Sequence, residues 1–134
     1  MIIMMKIVSM STHNYFVYTD GGKRHGVTYG SYKVFDSAGR IVLQDSVVFG
    51  HGTSNLAEYL TLISALHWTY LEGIKNIVIY TDSNLMVNQI KNRWQCNYEH
   101  LIEAKKEVLE ILELFDTWDI VYTERNFIFN ILGH

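Results

Sequence analysis

Three carboxylates stand where chemistry would need them. Asp20 ends the run Tyr15-Phe16-Val17-Tyr18-Thr19-Asp20-Gly21-Gly22, Glu58 lies in Ser54-Asn55-Leu56-Ala57-Glu58, and Asp82 ends Ile77-Val78-Ile79-Tyr80-Thr81-Asp82-Ser83. The first and third runs read as apolar strands, and the second as the opening turns of an amphipathic helix. Two strands finishing in Thr-Asp, with a Glu on the helix between them, gather negative charge at one edge of a sheet. Clustered carboxylates repel unless a cation sits among them, and their hard oxygens suit Mg²⁺ or Mn²⁺. The pattern points to metal-assisted phosphate chemistry. Taken singly, Asp20 and Asp82 would be ordinary strand-end turn residues, so it is the set of three that carries the reading.

The elements that must position this set are legible in outline. Strands are predicted over 15–19, 28–35 and 40–49, with a glycine-rich, basic turn from Gly21 to Gly26 and a hairpin turn at Asp36-Ser37-Ala38-Gly39. Their short connections make these three strands antiparallel. Thr53 or Ser54 caps a helix over 55–72, whose buried stripe reads as Leu56, Leu60, Ile63, Leu66 and Tyr70. A fourth strand over 75–81 is reached through that helix and is therefore parallel to the first. A short helix over 83–91, a third helix over 98–115, a fifth strand over 118–123 and a last helical turn over 126–132 complete the order. The fold class is α/β: a five-stranded mixed sheet, three antiparallel strands followed by parallel ones, with helices on both faces. Trp68 and Trp118 read as core or half-buried residues, and Lys23, Arg24 and His25 as a solvated turn.

The bulk properties narrow the function classes. The 134 residues amount to one domain, 1–134, in which residues 1–13 form an N-terminal extension, either an extra strand or a frayed end. Hydrophobic residues make up 49%, enough for a core, yet no apolar stretch reaches the ~18 residues of a membrane span. A net charge of -3 counts against tight electrostatic wrapping of DNA. The single cysteine, Cys96, excludes an intrachain disulfide and fits a cytoplasmic setting.

With strand order and acidic positions in view, the chain from Tyr15 onward resembles the type 1 ribonuclease H family. Tyr18-Thr19-Asp20-Gly21-Gly22 is similar to that family's first-strand motif. Thr53-Ser54-Asn55-Leu56-Ala57-Glu58 is similar to its motif on the first helix. Tyr80-Thr81-Asp82-Ser83, followed by Asn84, Val87 and Ile90, is similar to its fourth-strand motif. The family's fourth acidic residue, an Asp on the last helix, falls on Asn130 in Glu124-Arg125-Asn126-Phe127-Ile128-Phe129-Asn130, which makes an atypical Asp-Glu-Asp-Asn site. The family's basic, tryptophan-rich protrusion is reduced to Lys91-Asn92-Arg93-Trp94-Gln95-Cys96, and its loop before the last helix is missing.

The resemblance implies an endonuclease, a hydrolase that cuts the RNA strand of RNA–DNA hybrids by two-metal-ion catalysis and leaves 5′-phosphate and 3′-hydroxyl ends. It implies two Mg²⁺ ions with substrate, Mn²⁺ substituting, and no obligate protein partner or membrane. Carried over by position, Asp20 bridges both ions, Glu58 and Asp82 hold the leaving-group ion, and Asn130 meets the ion on the nucleophile side. Gly21, Asn55 and Asn84 occupy the positions that read the 2′-hydroxyl. Thr53 and Ser54 hold a DNA-strand phosphate at the helix start. His134, four residues after Asn130, is a candidate accessory for proton or product movement. An Asn supplies one neutral carbonyl oxygen where Asp supplies two charged ones, so the nucleophile-side ion is expected to bind more weakly. The alternatives are a hybrid-binding module with weak or absent catalysis and another nuclease of the same superfold.

Overall fold

The computed structural model describes residues 14–133, so the expectations for the 1–13 extension and for His134 lie outside the described residues. The element order is β1 (Tyr15–Arg24), β2 (Val27–Phe35), β3 (Ile41–Gly50), α1 (Ser54–Leu71), β4 (Asn76–Thr81), α2 (Asn84–Ile90), α3 (Glu99–Leu112), β5 (Thr117–Tyr122) and α4 (Arg125–Leu132). The strands form one sheet in the order β3-β2-β1-β4-β5. The pairs β1–β2 and β2–β3 are antiparallel, while β1–β4 and β4–β5 are parallel. This is the mixed five-stranded α/β arrangement that the sequence predicts.

Side-chain alternation along β1 assigns the two faces. Val17, Thr19 and Gly21 face α1; Phe16 and Tyr18 face the other side, where α4 packs against β1, β2 and β4. On that second face Tyr18 stacks on Tyr80 with ring centroids 4.9 Å apart, and Phe35 and Phe127 pack around it. Between α1, α3 and the sheet lies the core, built on Val17, Tyr59, Leu62, Leu66, Ile77, Ile79, Leu101, Val108, Leu112 and Ile120.

Two local expectations are corrected. The glycine-rich segment 21–24 is not a turn: β1 continues to Arg24, pairing Gly21 with Gly30 and Arg24 with Val27. The turn itself is only His25-Gly26, both at positive φ (52° and 78°), the geometry that favours a tight hairpin matching strand twist. The buried stripe of α1 is also displaced. Leu66 is fully buried, but Leu56, Leu60, Ile63 and Tyr70 are only partly so, and the face on the sheet is Ala57, Thr61, Ala65 and Thr69.

That face is made of small residues because the helix lies very close to the sheet. A Cβ on Gly21 would sit 2.6 Å from the Ala57 carbonyl carbon, and one on Gly30 would overlap Thr61. The Thr61 and Thr69 hydroxyls donate to the carbonyls of Ala57 and Ala65, so their burial leaves no orphan donor. Trp68, expected as a core or half-buried residue, is 49% exposed on α1, while Trp118 packs against the core.

Candidate active site

The close approach of β1 and α1 brings two of the three carboxylates together. Asp20 follows the β1 positions that pack on α1, and Glu58 is one residue beyond the Ala57 backbone that Gly21 touches. The parallel pairing of Thr19 with Thr81 then sets Asp82, next in sequence, beside Asp20. One oxygen from each of Asp20, Glu58 and Asp82 lies within 4.8 Å of the others. Thr53 Oγ1 accepts from Leu56 N at 3.1 Å and anchors the α1 start, while Ser83 Oγ accepts from Met86 N at 3.2 Å and anchors α2 behind Asp82.

The electrostatics of the cluster are strained without a cation. Burial pushes the Glu58 carboxyl up to about 9, with the charges of Asp20 and Asp82 adding to the shift and the Gly21 N–H opposing it. Burial also pushes Asp20 up to about 6, reinforced by Asp82. Glu58 Oε2 and Asp82 Oδ1 are buried and accept no hydrogen bond. Buried acceptors without donors are costly. Oxygen-only donors close together, net negative charge and buried oxygens without hydrogen-bond partners fit a hard divalent cation.

A cavity of about 390 Å³ opens over the cluster. Of the residues expected to bind substrate, Gly21, Ser54, Asn55 and Asn84 line it. Thr53 does not line it and spends its hydroxyl on the helix cap. The Asn84 side-chain oxygen accepts from Asn88 Nδ2 at 2.9 Å. Asn130 is exposed on α4 and is not among the residues that line this cavity.

What α4 does bring is Arg125 and Phe129, which sequence reasoning missed. Arg125 Nε donates to Asp82 Oδ2 at 3.1 Å, and its guanidinium carbon lies 5.9 Å from the Phe129 ring centroid. The available signal was spacing: residues four apart share a helix face, whereas Asn130 lies five beyond Arg125, about 140° around the axis. Lys23 also lines the cavity, because β1 extends through it as a strand rather than a solvated turn.

Comparisons with known proteins agree with this geometry. A family model described as reverse transcriptase-like matches residues 20–128. A ribonuclease HI of Halobacterium salinarum is 31% identical over 115 residues, which cover 84% of this chain and 56% of that protein, so the chain spans little more than half of that curated relative. The crystal structure of RNase H1 from the same halophilic archaeon superposes with a TM-score of 0.84 at 28% identity, covering 89% of this chain and 93% of that one. LC11-RNase H1, solved in complex with an RNA/DNA hybrid, superposes with a TM-score of 0.77 at 25% identity, covering 84% of this chain and 86% of that one. Matched over most of its length by sequence and by fold, and with its acidic motifs on the expected elements, the chain belongs to the reverse transcriptase-like family, as a ribonuclease H-like domain of type 1.

Proposed function

We propose that this protein is a divalent-metal-dependent ribonuclease H, an endonuclease that hydrolyses the RNA strand of RNA–DNA hybrids. One observation carries the proposal: three buried carboxylates converge within 4.8 Å, and two of them hold buried oxygens with no hydrogen-bond partner. Such an arrangement is costly unless ions neutralise it. Support for the substrate comes from the similarity to LC11-RNase H1, which was solved with an RNA/DNA hybrid.

Asp20, Glu58 and Asp82 are the residues that would hold Mg²⁺, or Mn²⁺ in its place. Divalent ions there supply positive charge to the phosphodiester and a more acidic water, the two-metal chemistry that leaves 5′-phosphate and 3′-hydroxyl ends. The chain's own groups do the positioning. The Gly21 N–H holds the Glu58 carboxylate, and the Thr53 and Ser83 caps fix the helices that flank the acids. Gly21, Asn55 and Asn84 line the cavity where a 2′-hydroxyl would be read, and Ser54 stands at the open start of α1, where backbone N–H groups suit a phosphate. Asn130 remains the positional counterpart of a fourth ligand, with a neutral amide oxygen to offer. A cytoplasmic setting belongs to the same reading.

A second reading, a hybrid-binding module with weak catalysis, is favoured by one observation: Asn130 lies outside the cavity. A strand-preference assay with end-group analysis decides. The expected result is cleavage of the RNA strand of a hybrid in Mg²⁺ or Mn²⁺, giving 5′-phosphate ends, with double-stranded DNA left intact. Hybrid binding without cleavage at any ion concentration would leave only the binding module.

A further inference from the structure

We infer that Arg125 is a phosphate-binding residue of this site, held in place by Asp82 and Phe129 and presenting its remaining guanidinium N–H groups to the backbone of the bound nucleic acid. The inference rests on the nuclease reading for its substrate, but it concerns a residue that the sequence motifs give no role.

Arg125 opens α4 at the rim of the cavity. Its Nε donates to Asp82 Oδ2 at 3.1 Å, and its guanidinium packs over the Phe129 ring. The pair is asymmetric: the Asp82 side chain is 3% exposed and that of Arg125 is 73% exposed. A guanidinium carries five N–H donors in a planar fork, and among the described residues Nε is the one with a hydrogen-bond acceptor. The donors on the two terminal nitrogens are therefore available at the cavity mouth, in an orientation fixed from two sides.

As a counter-ion to the buried Asp82 carboxylate, Arg125 offsets part of the cluster's negative charge. That pairing uses one donor of an otherwise exposed guanidinium. A planar, delocalised, weakly hydrated cation is also suited to bidentate contact with phosphate oxygens. The cavity also needs positive charge, since a phosphodiester must approach Asp20, Glu58 and Asp82. Along the same contact, Arg125 occupies Asp82 Oδ2, while Oδ1 is buried without a hydrogen-bond partner. A hydrogen-bonded carboxylate of this kind is oriented for ligation. The face of α4 that meets the cavity carries Arg125 and Phe129.

The test is equilibrium binding of an RNA–DNA hybrid oligonucleotide to the full chain across a salt series. Ca²⁺ replaces Mg²⁺, and the strands are checked intact after binding. Arg125→Gln is expected to weaken binding about tenfold at low salt and to reduce the slope of log K against log salt by about one, the signature of a lost phosphate contact. Arg125→Lys retains the charge and is expected to restore most of the slope with only part of the affinity. Arg40→Gln removes an exposed cation in the β2–β3 turn, at the opposite end of the sheet, and is expected to keep the wild-type slope. A wild-type slope in Arg125→Gln, with the hybrid still bound and cleaved by the wild-type chain, would overturn the inference and leave Arg125 as a counter-ion to Asp82. Failure of the wild-type chain to bind hybrid would overturn the nuclease reading first, and this inference with it.

Discussion

Glu58 is the side chain whose surroundings oppose its charge most strongly, and that opposition has a pH signature. Folding pushes Glu58 from 4.5 to about 9 and Asp20 from 3.8 to about 6. Between those limits the folded, metal-free protein keeps protons that the unfolded chain has released. The contribution of each group is thus fully present below its unfolded value and is lost as pH rises through its folded one. Urea unfolding in chelator is expected to show stability declining from about pH 4 to about pH 9, with saturating Mg²⁺ or Mn²⁺ flattening the decline. Glu58→Gln is expected to remove most of the slope, to stabilise the metal-free protein at high pH by about 1–3 kcal/mol, and to abolish the response to metal. A metal-free protein with no such decline would contradict the burial assigned to Glu58. At this scale Asp20, Glu58 and Asp82 were readable because each closes a short motif of distinctive types. Arg125 was not readable, since its role depends on which face of an eight-residue helix meets the sheet.

The elements matter through how closely they approach. The site exists because β1 and α1 pack with almost nothing between them, at the paired glycines Gly21 and Gly30. Gly21→Ala is expected to cost about 1–3 kcal/mol through overpacking against Ala57 and Glu58 backbone, and to weaken divalent binding by separating Asp20 from Glu58. Urea melts with and without Mn²⁺ check both effects. Thr53→Ala, which removes the α1 cap, is expected to cost about 1 kcal/mol in the same melts. The close approach also explains what sequence reading misplaced. Hydrophobic periodicity selected Leu56, Leu60, Ile63, Leu66 and Tyr70, whereas the sheet contact needs Ala57, Thr61, Ala65 and Thr69. Small side chains carry little hydrophobic signal, so packing distance overrode it. The same holds for Gly21, which read as a turn residue and serves as a strand residue under α1.

For the molecule as a whole, topology was the most legible property. Short links force β1, β2 and β3 to be antiparallel, and the helix between β3 and β4 permits the parallel pairing that sets Thr19 beside Thr81 and so Asp20 beside Asp82. The net charge of -3 and the reduced protrusion leave little basic surface, so hybrid affinity is expected to depend on divalent ions more than on surface cations. A metal-dependent catalytic site at the three-carboxylate cluster has a direct signature in one titration. A labelled RNA–DNA hybrid is incubated with the full chain across Mg²⁺ and Mn²⁺ concentrations, beside Asp82→Asn. The predicted result is RNA-strand cleavage that rises with metal, disappears in chelator, and falls at least about a hundredfold in Asp82→Asn, within the range for loss of a charged stabilising group in a catalytic site. Cleavage that persists in chelator or in Asp82→Asn would rule out a metal-dependent site at these carboxylates, as would a wild-type chain that binds hybrid and cuts it at no metal concentration.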